Sequence, residues 1–310
     1  MPVSLRQMEV FRLLMQTRNV TETARLLHIS QPAASQMLKE LEQRLGLALF
    51  VRAGNRIRPT GEARALIEDV EQIFVRMGKM ESRAAELRDA TAGSLAISTI
   101  ATVTGSILPR ALASFHIERR GVELCVNTHL ARDVVQAVLR EEADLGVLYA
   151  PVEDHQVAVE PLLRTQMVCM LPPHHALANQ TQIDVKMLAD QTLIVLDPSV
   201  SPGKLLHERL PGRRLRTAGV IEVNMSFAAL SMVRHGLGLV VTDPIILLSG
   251  LADELVVRPF EPTIELTLCM VYSRQRPLPR TAVRFVANLK AEVAAAVTRL
   301  REAGIPADIV

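Results

Sequence analysis

Ala24-Arg25-Leu26-Leu27-His28-Ile29-Ser30-Gln31-Pro32-Ala33-Ala34-Ser35 is the stretch from which the rest of the chain can be read outward. His28-Ile29-Ser30 reads as a tight turn between two helix-forming runs. Before it, Val20 to Leu27 predicts a short helix with Asn19 or Thr21 as its cap and the small Ala24 facing inward. After it, Ser30 supplies a capping hydroxyl, and Pro32 sits in the first helical turn, where no amide donor is needed. The apolar stripe Ala34, Leu38, Leu41, Leu45 then recurs at helical spacing. Upstream, Leu5, Met8, Phe11, Leu14 and Met15 predict an amphipathic helix that closes the same small core.

The residues left off that stripe carry the chemistry. Gln31, Pro32, Ser35, Gln36 and Lys39 occupy the N-terminal half of the third predicted helix, away from Ala34 and Leu38. Short amides and hydroxyls there match the edges of bases in a major groove, and a helix N-terminus favours a phosphate. A solvated helix face is the alternative reading. Beyond Gly46, Leu49 to Arg58 reads as a hairpin with its turn at Gly54-Asn55, and Arg52, Arg56 and Arg58 lie on it as candidate phosphate contacts. Charge follows the same division. Residues 1–60 carry nine Lys or Arg against four acids, while the remaining residues carry 26 against 29, so a chain of net charge +2 has a basic head and a slightly acidic body.

In order and spacing, the quoted string, then Leu41-Glu42, Leu49-Phe50-Val51-Arg52 and Pro59-Thr60, resembles the winged helix-turn-helix of LysR-type transcription regulators. The resemblance covers about sixty residues. It departs from the usual pattern where Pro59-Thr60 leads into Gly61-Glu62-Ala63. It implies that Gln31, Ser35 and Gln36 face a groove of double-stranded DNA and that Arg52 and its basic neighbours hold phosphates. From Leu66 the apolar residues Val70, Ile73, Met77, Met80, Ala84 and Leu87 follow at alternating spacings of four and three, the 3.5-residue period of a coiled coil. In the family this helix dimerises, and a homodimer or homotetramer reading an interrupted palindrome is implied. RNA polymerase is a further partner that the resemblance implies.

Past Thr91-Ala92-Gly93-Ser94, strand-like and helix-like runs alternate twice over, which predicts mostly parallel sheets covered by helices. The expected fold class is therefore α/β with an N-terminal all-α winged helix-turn-helix. The expected boundaries are 1–60 for the head, 61–90 for the linker helix and 91–310 for the body. The resemblance adds that the body is like a periplasmic solute-binding protein, with subdomain I (91–162 and 268–310) and subdomain II (163–267) joined by crossing strands. Ligands of open α/β sheets sit at the carboxyl ends of strands, near helix N-termini. Thr99, Ala101, Thr102, His129, Tyr149, Ser199, Ser201, Asn224 and Asp243 fall at such places and are the candidate effector residues. Ordinary helix capping is the alternative for each. The Asp197-Pro198-Ser199 element and the Gly236 to Pro244 segment resemble the lysine- and opine-sensing branch. An amino acid would then place its ammonium near Asp197, Asp243 or His129, and its carboxylate near Thr99, Thr102 and Ser201.

Other classes find less support. Gly236-Leu237-Gly238 lacks the third glycine of a dinucleotide loop, no phosphate-binding loop of the nucleotide type is present, and no catalytic set or cofactor is expected. His174-His175 are adjacent and lack partners at ligand spacing, so no metal is expected. Cys125, Cys169 and Cys269 are odd in number and set in apolar runs, which predicts buried thiols in a reducing compartment, the cytoplasm. No apolar run is long enough to span a bilayer and no signal-peptide pattern opens the chain. The function expected is a transcription regulator whose DNA binding responds to a small metabolite. A ligand-independent repressor and a solute-binding protein are the alternatives.

Overall fold

The computed structural model describes residues 3–53, 56–88, 93–209 and 218–310. The Gly54-Asn55 tip and Thr91-Ala92 lie outside these, and so do the side chains of Arg52, Arg56 and Leu87. The chain divides into two compact units, Met1–Glu81 and Ser82–Val310.

Among the described residues the first unit is three short helices, a two-stranded wing and most of a long fourth helix. Helix α1 (Leu5–Thr17) opens with a capping box between Ser4 and Gln7. Helix α2 (Val20–Leu26) is capped by Asn19, whose Oδ1 accepts from the amides of Thr21 and Glu22 at 2.9 and 3.3 Å. Helix α3 (Gln31–Leu45) is capped by Ser30 and ends at Gly46, whose φ of 68° is the left-handed conformation that glycine adopts without strain. Val10, Leu14, Leu27 and Leu38 form one cluster, and Phe11, Leu41, Leu49 and Ala63 another. Burying Phe11 alone contributes about 2–3 kcal/mol relative to exposure. Two stripe positions differ from expectation, for Leu5 and Leu45 are 47% and 38% exposed. Instead Gln7 is buried, because its amide bridges Glu40 (3.0 Å) and Arg44 (3.1 Å) and so ties α1 to α3. The wing strands β1 (Phe50–Ala53) and β2 (Arg56–Pro59) pair antiparallel, and Glu42 holds the wing to α3 by accepting from the amides of Leu49 and Phe50. Helix α4 runs unbroken over Gly61–Arg88.

The second unit holds two six-stranded sheets. Its first segment gives β3 (Gly93–Thr99), α5 (Ala101–Thr104), α6 (Ile107–Glu118), β4 (Val122–Thr128), α7 (Ala131–Leu139), β5 (Leu145–Tyr149) and β6 (Val157–Gln166). The chain then crosses to the other sheet through β7 (Val168–Leu171), β8 (Ile183–Asp184), β9 (Thr192–Leu196), α8 (Ser201–Arg209), β10 (Gly219–Val223), α9 (Ser226–Arg234), β11 (Leu239–Thr242) and β12 (Val256–Glu261). It returns by β13 (Glu265–Ser273), α10 (Arg280–Glu302) and β14 (Ala307–Ile309). The sheet orders are β14-β6-β13-β5-β3-β4 and β10-β9-β11-β7-β12-β8.

Among the described residues both sheets are mixed: three of five pairings are parallel in the second sheet, as expected, but only two of five in the first. β3, β4 and β5 run parallel, as do β9, β10 and β11, yet β13 is antiparallel to β5 and β6, and β7 is antiparallel to β11 and β12. The reversals belong to the strands that carry the chain between sheets. The two crossings touch, for the Met167 amide donates to the Ile264 carbonyl at 2.9 Å. Phe115 of α6 and Phe285 of α10 meet edge to face at 5.6 Å, anchoring both helices in the core. Cys169 and Cys269 are buried, but Cys125 is exposed, because β4 is an edge strand and Cys125 points away from the core. Among the described residues no helix is long and apolar enough to cross a membrane.

Candidate functional sites

In the first unit, the phase of α3 separates two faces. Ala34, Leu38 and Leu41 are buried, while Gln31, Pro32, Gln36 and Lys39 are exposed and Ser35 is half-buried. Gln31 Nε2 donates to Ser35 Oγ at 2.9 Å, which leaves the Gln31 carbonyl as acceptor and the Ser35 hydroxyl as donor toward an incoming edge. Gln36 Nε2 donates to Glu40 at 3.0 Å, fixing its outer oxygen likewise. Arg58 of β2 is exposed and lines a concavity of about 320 Å³ together with Arg18 and Arg64.

Arg18 and Arg64 were not singled out from sequence. Arg18 sits at the left-handed C-cap of α1 and Arg64 in the first turn of α4, and only folding brings them beside the wing. Arg12 counted as part of the basic head, yet it lies over the Phe74 ring at 4.4 Å and near Glu71, so it braces α1 against α4. Backbone is described for Arg52 and Arg56 in β1 and β2, but not their side chains.

In the second unit the candidate residues cluster at the carboxyl ends of parallel strands. Tyr149, at the end of β5, is buried and donates its hydroxyl to Asp243 Oδ1 at 2.8 Å, so one side chain from each sheet meets the other. Asp243 follows β11 and immediately precedes a 3₁₀ turn, Pro244–Ser249. It is fully buried, and burial pushes its carboxyl up to about 6 even though the Tyr149 hydroxyl and nearby amides favour the anion. Burial first, and the neighbouring Asp243 next, hold the Tyr149 phenol protonated, so it is the donor of this pair. Asp243 Oδ2 and the Thr242 hydroxyl are buried and have no hydrogen-bond partner. Such orphans cost free energy, which a further polar group placed there would recover.

Helix ends converge on the same region. Ile100, Met225 and Asp243 precede α5, α9 and the 3₁₀ turn, and none offers a side-chain cap. Helix α5 packs against both α9 and that turn. The approach is close: a Cβ on Gly105 would lie 2.3 Å from the Phe227 ring. Thr102 is buried in α5, with Ala101 half-buried beside it. Thr99 contributes less than expected, because its hydroxyl already donates to the Val147 carbonyl at 2.8 Å and has no proton left for a ligand carboxylate. His129 is exposed, and its Nδ1 lies 2.9 Å from the buried Ser98 hydroxyl.

On the β9–β10 side the arrangement is more dispersed. The amide of the exposed Ser199 donates to Asp197 at 2.7 Å, and Ser199 holds that carboxyl below its ordinary range, so Asp197 is occupied in its own turn. Ser201 opens α8, and α8 lies tight on β9, because a Cβ on Gly203 would meet the Leu196 carbonyl at 2.2 Å. Asn224 is exposed at the end of β10, the edge strand, with β9 between it and β11. His175 accepts from the Leu177 amide in a surface turn, and no metal-ligand cluster is found among the described residues. Burial pushes the Cys169 thiol up to about 12, which makes it a poor nucleophile.

The two units match two family models. Residues 5–64 match the bacterial regulatory helix-turn-helix protein, lysR family, and residues 88–294 match the LysR substrate binding domain. The chain belongs to the LysR family of transcription regulators. It is a DNA-binding regulator with an effector-binding domain, and members of this family are not enzymes. It is 30% identical over 292 residues to the regulatory protein NocR of Agrobacterium fabrum, covering 93% of this chain and 96% of NocR. It is 32% identical over 261 residues to OccR of Rhizobium meliloti, the octopine catabolism/uptake operon regulatory protein, covering 83% and 85%. Among solved structures, full-length CbnR in complex with its target DNA has the same fold, with a TM-score of 0.74 at 18% identity, covering 93% of this chain and 99% of CbnR.

Proposed function

We propose that this regulator reads DNA with Gln31, Ser35 and Gln36, holds the backbone with Lys39, Arg52, Arg56 and Arg58, and is controlled by an amino acid bound at the Tyr149–Asp243 junction. The observation that carries the effector reading is the buried Asp243 carboxylate with one unpartnered oxygen, beside helix ends that lack side-chain caps. An ammonium satisfies the first and a carboxylate the second, so one zwitterion answers both. Similarity to NocR and to OccR, a regulator of octopine catabolism, supports an opine or a basic amino acid. Binding there changes the angle between the two sheets and, through α4, the spacing of two or four DNA-reading heads on an interrupted palindrome. The place of action is the cytoplasm, where the DNA is, and RNA polymerase is the downstream partner.

The test is thermal shift of the purified chain against octopine, lysine, arginine and simple carboxylates. A ligand that binds only the native state raises the melting temperature with its concentration. Stabilisation by octopine or a basic amino acid, abolished in Thr102→Val with DNA binding retained, is the expected result. Stabilisation by a simple carboxylate alone would remove the amino-acid assignment, and no response to any of them would favour a ligand-independent repressor.

A further inference from the structure

At the far end of the Pro244–Ser249 turn lies a second cavity, of about 680 Å³, within the range of small-molecule sites. Leu247, Leu248 and Leu255 line it from the segment after β11, and Ala303 lines it from the end of α10, with Leu300 and Ile305 buried beneath. Its charged lining is Arg110, Arg258, Arg299 and Asp253. Arg299 is paired with Glu292. The Arg258 guanidinium is held by the carbonyls of Ala178, Gln180 and Val257, which position it without neutralising it. Arg110 is exposed and has no ion-pair or hydrogen-bond partner among the described residues. Counting three guanidiniums against Asp253 and Glu292, the cavity keeps one net positive charge over a lining that mixes polar and apolar surface.

We propose that this cavity is a second ligand site, for a small amphipathic anion: an aryl or alkyl carboxylate whose apolar body lies against Leu247, Leu248 and Ala303 and whose charge meets Arg110. It shares no lining residue with the Tyr149–Asp243 junction, yet the two are joined by one element. Asp243 stands at the N-terminal end of the 3₁₀ turn, and Leu247 to Gly250 at its other end line the cavity. That turn also packs on α5, α6 and α10.

The experiment is calorimetric titration of the full chain with phenylacetate, and separately with inorganic phosphate, for the unaltered protein, Arg110→Glu, Ala303→Trp and Thr102→Val. Arg110 and Ala303 are exposed, so both variants leave the core intact, which melting curves verify. The expected result is that phenylacetate binds and phosphate does not. Arg110→Glu should weaken binding about tenfold or more, as loss of a charged hydrogen bond does. Ala303→Trp should fill the mouth and abolish binding, while Thr102→Val changes nothing. The proposal is overturned if phenylacetate fails to bind at about 10 mM, a Kd near the limit of useful recognition. It is equally overturned if phosphate binds as well, or if binding survives both cavity variants or is lost in Thr102→Val.

Discussion

Asp243 is a carboxyl group that the fold removes from water while leaving one oxygen without a partner. Its native value of about 6 stands above the 3.8 of an ordinary aspartate, so the folded chain holds a proton that the unfolded chain has already released between those values. The sign follows from linkage: this group's contribution to stability is complete below about pH 4 and is lost as pH rises through 6. The cost at pH 7 is of the order of 3 kcal/mol. Asp243→Asn, which keeps the Tyr149 hydrogen bond, should therefore flatten that part of the stability-versus-pH curve and raise the melting temperature at pH 7. Melting curves from pH 4 to 7.5 for both proteins measure it, and an unchanged slope in the variant would remove Asp243 as the source. A bound ammonium reverses the balance by favouring the anion, so affinity for an amino-acid effector should be weaker at pH 5 than at pH 7.5. An affinity independent of pH over that range would place the ammonium elsewhere.

At the scale of elements, the proposed function divides reading by α3 from holding by the wing. Gln31→Ala should lower discrimination between target and altered sites, with a loss of about 1–3 kcal/mol on the target alone. Arg58→Ala or Arg18→Ala should weaken all DNA about equally and reduce the salt dependence by about one phosphate contact. Binding isotherms at several salt concentrations separate the two, and an Arg18→Ala chain with an unaltered salt slope would leave that concavity out of the interface. Helix α4 carries a second division. Leu66, Ile67 and Val70 pack onto the head's own core, whereas farther along the same stripe Met80 is 66% exposed. Met80→Glu should therefore leave the head folded and weaken self-association about tenfold or more, read by sedimentation equilibrium. An unchanged association constant would move the dimer contact off this stripe. These elements were legible because local rules determine them: Ser30, Asn19 and Gly46 cap where their chemistry requires. What escaped the sequence was tertiary. Gln7 is buried through partners 33 and 37 residues away, Arg18 and Arg64 meet only after folding, the short α5 and β14 have too few residues to show a period, and Pro259 interrupts the strand pattern of β12.

At the scale of the whole effector unit, sequence could place Tyr149 and Asp243 at strand ends but not against each other, since 94 positions and one sheet crossing separate them. The same separation makes their meeting a property of how the two sheets are set, and Gly105 against Phe227 is a second point of that setting. Gly105 has a φ of −92°, open to any residue, so what a larger residue meets there is Phe227 and not backbone strain. Gly105→Val should force α5 and α9 apart, destabilise the unit by about 1–3 kcal/mol as overpacking does, and weaken the effector response. Phe227→Ala alone opens space and costs stability by loss of contact. Combined, the two changes should compensate in part, giving a coupling of about 1 kcal/mol or more in a double-mutant cycle. Melting curves of the four proteins supply the cycle, and the effector's stabilising shift in each supplies the functional half. Additive losses would mean that Gly105 acts through something other than Phe227. Coupling in stability without any change in effector response would mean that this contact holds the two sheets together without taking part in the switch.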